Sequence, residues 1–163
     1  MTPVVVEKVT LAPSTQEEID WVEANFREGE KRERDVAGGG RTLLETFEAC
    51  WTIRDAASGD VFGYFGAMVM PGESCMSRVR GLCFMSCTNV ERHKIAFVRS
   101  SRPVLRYVVG KAPKWVNKFI SWPIASYRGS VEWHKRVLKM REARRVPANG
   151  DEYVIFEIER KEV

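Results

Sequence analysis

Few residues in this sequence are able to do chemistry: two histidines, four cysteines and a run of tryptophans set among lysines. Cys87 is a candidate nucleophile with His93 close by as its base, since a thiol attacks only once it has become a thiolate. The favoured reading is an inert buried thiol, the commoner state of free cysteine. Cys83 and Cys87 have no His or Cys partner at zinc-ligand spacing. His134 suits general acid–base work, because an imidazole ordinarily titrates near pH ~6.5. It also flanks a core stripe of Trp133, Val137 and Met140. Trp115, Trp122 and Trp133 interleave with Lys111, Lys114, Lys118 and Arg128, the mixture that single-strand nucleic-acid grooves use. These tryptophans also lie on or beside expected core faces, so core packing with a basic rim is the favoured reading. Gly38-Gly39-Gly40 is not followed by a G-x-x-x-x-G-K-[ST] pattern and reads as a mobile connection.

The 163 residues read as a single domain over 1–163, long enough for its own core. No apolar run approaches the ~20 residues of a membrane helix, and the start M-T-P-V-V-V-E-K has no secretion-signal pattern. The expectation is a chain that is not secreted, with reduced cysteines. Charge is lopsided. Residues 1–60 hold 7 Lys/Arg against 13 Asp/Glu, and residues 91–145 hold 15 against 3. That basic block attracts anions: nucleic acid, phosphate-bearing cofactors or an acidic protein face. Nucleic acid bound through residues 91–145 would be released steeply by salt.

The elements that must position these residues follow from periodicity and turn chemistry. A first strand is expected over Val4–Leu11, then a helix capped at Ser14 or Thr15 and carrying Ile19, Val22 and Phe26. Thr42–Cys50 reads as a short helix. Strands follow at Cys50–Arg54, Val61–Met70 and Arg78–Thr88, broken by A-A-S-G-D and P-G-E-S turns. Ser100-Ser101-Arg102-Pro103 predicts a helix start. The tail predicts a strand at Phe119–Ala125, a helix at Tyr127–Arg141 and a strand at Glu152–Glu159. This order places the chain in the α+β class, with helices against a mixed, mostly antiparallel sheet.

The order, and above all the tail, resembles the GNAT N-acetyltransferase fold. The resemblance implies an acetyl-CoA site. In that family the helix after the fourth strand opens with a glycine-rich Q/R-x-x-G-x-G/A loop whose N–H groups hold the pyrophosphate. The matching stretch here, Thr88 to Arg102 (T-N-V-E-R-H-K-I-A-F-V-R-S-S-R), has no glycine. If cofactor binds, the resemblance assigns Thr88, Asn89, Arg99 and Arg102 to it. The family's later N-x-x-A-x-x-x-Y pattern falls on Tyr127, Ser130 and His134, which makes His134 the acid for the leaving thiolate. A narrower resemblance is to the internal virion protein A type of short-tailed phages, GNAT-like proteins that also lack the glycine loop. It implies a non-catalytic virion-assembly protein with virion proteins as partners, located in host cytoplasm or virion. The expectation is therefore no cofactor, with acetyl-CoA if the chain is an enzyme.

Overall fold

The computed structural model describes residues 2–163. Eight strands form one sheet in the order β1-β2-β3-β4-β5-β6-β8-β7. The first expected strand is a hairpin of β1 (Val4–Val6) and β2 (Val9–Pro13), turned at Glu7 in the left-handed conformation. Helix α1 (Gln16–Ala24) is closed by a capping box between Thr15 and Glu18 and buries Ile19 and Val22. The charged tract that follows is helix α2 (Glu28–Val36). The helix expected over Thr42–Cys50 is one 3-10 turn at Leu44–Thr46, and β3 (Ala49–Asp55) begins soon after it. β3, β4 (Val61–Met68) and β5 (Val79–Ser86) make an antiparallel meander.

Helix α3 (Lys94–Lys111) then crosses one face and returns the chain to β6 (Lys118–Ser121), which runs parallel to β5. Helix α4 (Arg128–Glu132) ends in a π turn over Trp133–Val137. β7 (Arg141–Ala148) and β8 (Asp151–Glu159) close the sheet, β8 against β6. The described residues include no helix long and apolar enough to cross a membrane.

Two cores lie on opposite faces. Val104, Leu105 and Val108 of α3 pack with Phe62, Phe65, Phe119 and Phe156. Ile19 and Val22 of α1 pack with Phe26, Tyr64 and Cys87. Each such side chain, fully buried, contributes roughly 1.5–3 kcal/mol. Phe62 and Tyr64 reach different cores although two residues apart, because β4 carries a bulge. Ile53 pairs with Gly63 and Arg54 with Val61, leaving Phe62 extra. A Cβ at Gly63 would fall 2.0 Å from the Met85 carbonyl oxygen, so glycine alone fits.

Three expectations for the second half are corrected. Helix α3 starts at Lys94, not at Ser100. The two serine hydroxyls do not cap. Ser100 Oγ accepts from the Lys8 N–H at 3.2 Å, and Ser101 Oγ donates to the Phe97 carbonyl at 2.7 Å. Pro103 consequently sits inside the helix and costs it one backbone bond. β6 ends at Ser121, and Trp122-Pro123 leave the sheet rather than extending it to Ala125. The helix expected to reach Arg141 stops at its π turn, and Arg141 opens β7.

Candidate active site

β5 and β6 are neighbours only where Val79, Arg80 and Gly81 face Lys118, Phe119 and Ile120. Beyond Gly81 the strands part, and the β5 edge from Leu82 to Ser86 has no partner strand there. Two features hold the closed end of this opening. Arg80, fully buried, forks onto Glu48 at 2.7 and 3.1 Å and donates to the Cys75 and Ser77 carbonyls. Gly81 lets the Trp122 ring lie directly on the backbone; a Cβ there would meet it at 2.7 Å.

A cavity of about 270 Å³ lies on the α1/α2 side of the opening, walled by Phe26, Tyr64, Trp122 and Tyr153. A groove of about 400 Å³ lies on the α3/α4 side, floored by Phe97, Val98, Trp133 and Val137. The two meet: Glu33, Phe84 and Ser130 line both. Phe84, Phe97 and Trp133 stack along the groove with centroids 5.0 to 5.6 Å apart.

Glu33 stands at this junction. Burial raises its pKa to about 8, with the Glu30 charge adding to the rise and the Ile124 N–H at 3.3 Å opposing it. It is thus a carboxyl group able to take or release a proton near neutral pH. Its neighbour on the helix, Glu30, is buried and accepts from Ser86 Oγ and from the Tyr127 hydroxyl at 3.2 Å. Arg27 bridges Glu30 at 3.8 Å and Glu91 at 3.1 Å. Together these side chains tie α2 across the opening to the end of β5 and to Tyr127, the residue before α4. Gly29 makes room for the tie, since a Cβ there would fall 2.3 Å from the Tyr127 ring. Gly29→Ala is expected to displace the ring and lower stability by about 1–3 kcal/mol. Thermal unfolding measures this, with Gly129→Ala as control, because a Cβ there stays 3.5 Å from the same ring.

His134 is buried, stacked on Phe156 at 5.1 Å, and burial pushes its pKa down to about 4. Nδ1 lies 2.8 Å from the Ser130 carbonyl oxygen, an acceptor, so Nδ1 carries the proton. Nε2 then accepts from Ser121 Oγ at 2.9 Å. The ring is neutral at pH 7, with its one N–H spent on the backbone.

The four residues assigned to cofactor do not converge. Thr88 is exposed in the 3-10 turn before α3. Asn89 locks that turn, donating to the Val61 carbonyl at 3.0 Å and accepting from Arg92. Arg99 is exposed on α3. Arg102 lies about 12 Å along the helix from Lys94 at 1.5 Å per residue, and it donates to the carbonyls of Leu138 and Glu162. The first turn of α3 has no side-chain cap, and Lys94 stands there paired to Glu91 at 2.9 Å. Cys87 donates to the Val61 carbonyl at 3.0 Å and His93 faces Asp60 at 2.8 Å, so neither serves the other. Burial raises the Cys87 pKa. Trp115 is exposed, whereas Trp122 and Trp133 are partly buried.

Sequence reasoning missed Glu33 and Glu30. The available signal was Gly29 inside a charged helical tract, since a glycine there asks for a packing reason.

No family model matches this chain, and no curated protein matches it. Solved structures do. A GNAT-family acetyltransferase from Bacillus anthracis aligns with TM-score 0.69 over 99% of this chain and 100% of that one, at 11% identity. Aminoglycoside acetyltransferase AAC(6')-Ib, solved with coenzyme A, aligns with TM-score 0.66 over 94% of this chain and 95% of its own, at 15% identity. An N-acetyltransferase from Staphylococcus aureus Mu50 aligns with TM-score 0.67 over 93% and 98%, at 11% identity. The chain has a GNAT-like α+β fold, with a mostly antiparallel sheet covered by helices.

Proposed function

We propose that this GNAT-like chain is an N-acetyltransferase that moves an acetyl group from acetyl-CoA to a small amine. One observation carries the reading: two cavities meet at a single opening between β5 and β6, and the carboxyl group at their junction titrates to about 8. The unpartnered edge of β5 offers N–H and C=O groups to the amide-bearing arm of the cofactor, and the uncapped first turn of α3 offers N–H groups to its phosphates. Thr88 and Asn89 lie beside that turn; Arg99 and Arg102 lie further along α3. Acetyl-CoA supplies an activated thioester. Glu33, once ionised, takes the proton of the incoming ammonium at the junction. The aromatic floor of Phe84, Phe97 and Trp133 keeps water from the groove. His134 acts as a positioning residue, fixing the Ser121 hydroxyl in the acceptor cavity.

A second reading, a non-catalytic scaffold used in virion assembly, is favoured by one observation. The turn from Cys87 to Lys94 contains no glycine, so side chains crowd the place where phosphates would approach the backbone. On that reading the basic residues of 91–145 face virion proteins or nucleic acid. Calorimetric titration of acetyl-CoA separates the two. One-site binding at micromolar affinity is expected for the enzyme. No binding at millimolar cofactor would leave the scaffold.

A further inference from the structure

Arg34 is the anomaly of the acceptor cavity. Its Nε is buried with no hydrogen-bond partner, the only such side-chain atom among the described residues. None of the ion pairs among the described residues involves it, although it lines a cavity that Glu23 and Glu33 also line. The Phe26 ring supports the guanidinium from below at 5.6 Å. The cavity's other cation, Arg41, is already spent on Asp20 at 2.5 and 2.9 Å. Nε is sealed inside the fold, so the terminal nitrogens of the guanidinium, which appear in no ion pair among the described residues, are the donors left for a ligand in the cavity that Arg34 lines.

We propose that Arg34 receives the carboxylate of the acetyl acceptor, which is a free amino acid or a close analogue. This rests on the acetyltransferase reading and names its substrate class. A guanidinium presents five N–H donors in a planar fork that matches a carboxylate two-for-two. The acid groups of the same cavity suit the other end of such a molecule. Glu23 is buried and accepts only the Thr42 N–H at 3.2 Å, and Glu33 stands where the cavity meets the groove. An ammonium group belongs beside these two, and a carboxylate beside Arg34. A dianionic phosphate would bring two negative charges to a single guanidinium in a cavity that Glu23 also lines, whereas the one charge of a carboxylate is balanced by Arg34. About 270 Å³ with four aromatic walls holds a side chain the size of methionine or phenylalanine.

The test pairs L-methionine and L-phenylalanine with the amines that lack only the carboxylate, 3-(methylthio)propylamine and phenethylamine. Turnover with acetyl-CoA is measured in the wild type, in Arg34→Met, which keeps the apolar stem on Phe26, and in Arg34→Lys, which keeps the charge without the fork. The wild type is expected to prefer the amino acids at least 100-fold in kcat/KM. Arg34→Met should raise their KM more than 30-fold, leave the amines within threefold, and leave acetyl-CoA affinity unchanged; Arg34→Lys should fall between. Calorimetry of L-methionine with wild type and Arg34→Met reads the site without turnover. Arg34-dependent binding of L-methionine with no acetyl transfer would uphold the carboxylate site and overturn the acetyltransferase reading. Equal use of amines and amino acids, indifferent to Arg34, would overturn the carboxylate site and leave the transferase. Preference for O-phosphoethanolamine over every amino acid would also overturn it.

Discussion

Glu33→Gln is expected to lower kcat about 10²–10³-fold, the ordinary contribution of a positioned general base, while acetyl-CoA affinity stays within a few fold. The amide keeps the shape and still accepts the Ile124 N–H, but it cannot take a proton. The pH profile is the sharper readout. Burial holds the Glu33 carboxyl protonated until about pH 8, so wild-type kcat should climb with pH up to that value and then level. That limb should be missing in the variant. The acceptor amine ionises as well, but it is the same in both enzymes, so the limb lost on Glu33→Gln isolates the carboxyl's contribution. A variant within fivefold of wild type, with the same profile, would take Glu33 out of the chemistry.

Stability should peak on a plateau between about pH 4.5 and 6.5 and fall on both sides. One buried group and one half-buried group set its edges with opposite signs. His134 has an ordinary pKa of 6.5 and a folded value of about 4. Between these the unfolded chain binds the extra proton, so stability drops as pH falls through the window, by about 3 kcal/mol in all. Glu33 moves the other way, from 4.5 to about 8. Its folded form holds the extra proton between those values, so stability drops as pH rises. The effects offset each other from 4.5 to 6.5. Above 6.5 only Glu33 remains of the two, and about 2 kcal/mol should be lost by pH 9. Below 4.5 the His134 loss runs on, joined by Asp151, whose folded pKa is held near 2 chiefly by the Ser126 hydroxyl. Denaturant midpoints from pH 3 to 9 measure the curve. Glu33→Gln should flatten the alkaline side and turn the plateau into a rise from pH 4.5 to 6.5, because His134 is then unopposed. Parallel curves for wild type and variant would mean that Glu33 ionises in the fold as freely as in the open chain.

The order of elements was legible because it is written in alternation and turns. Asp151 to Glu159 buries every second residue from Val154 to Ile158, and Val61 to Met68 is a short run buried on both faces and bounded by turn signals. The start of α3 was not, because Ser100-Ser101-Arg102-Pro103 imitates a helix cap and its hydroxyls are claimed by partners far away in sequence, Lys8 and Trp133. β7 was invisible for a different reason. R-E-A-R-R-V-P-A has no buried face, and it is a strand only because β8 lies beside it. The site was least legible. Nothing in the letters E-G-E-K-R-E-R marks one glutamate as nearly neutral and one arginine as unpaired. Both properties come from burial against Ile124 and Phe26, contacts made across the fold.

The two ends of the sheet bear on how the protein behaves in a concentrated solution. A sheet edge is a template on which further copies can stack. Here one edge is β1, three residues long, too short to seed a ladder. The other is β7, which carries Arg141, Arg144 and Arg145 and then Pro147, a residue with no N–H to offer a neighbour. Two β7 edges brought together would crowd six arginines, offset in part by Glu142 on each strand. The edge is thereby guarded against edge-to-edge aggregation by its arginines and its proline together, and neutralising the arginines, all exposed, would weaken that guard and leave Pro147 as the remaining block.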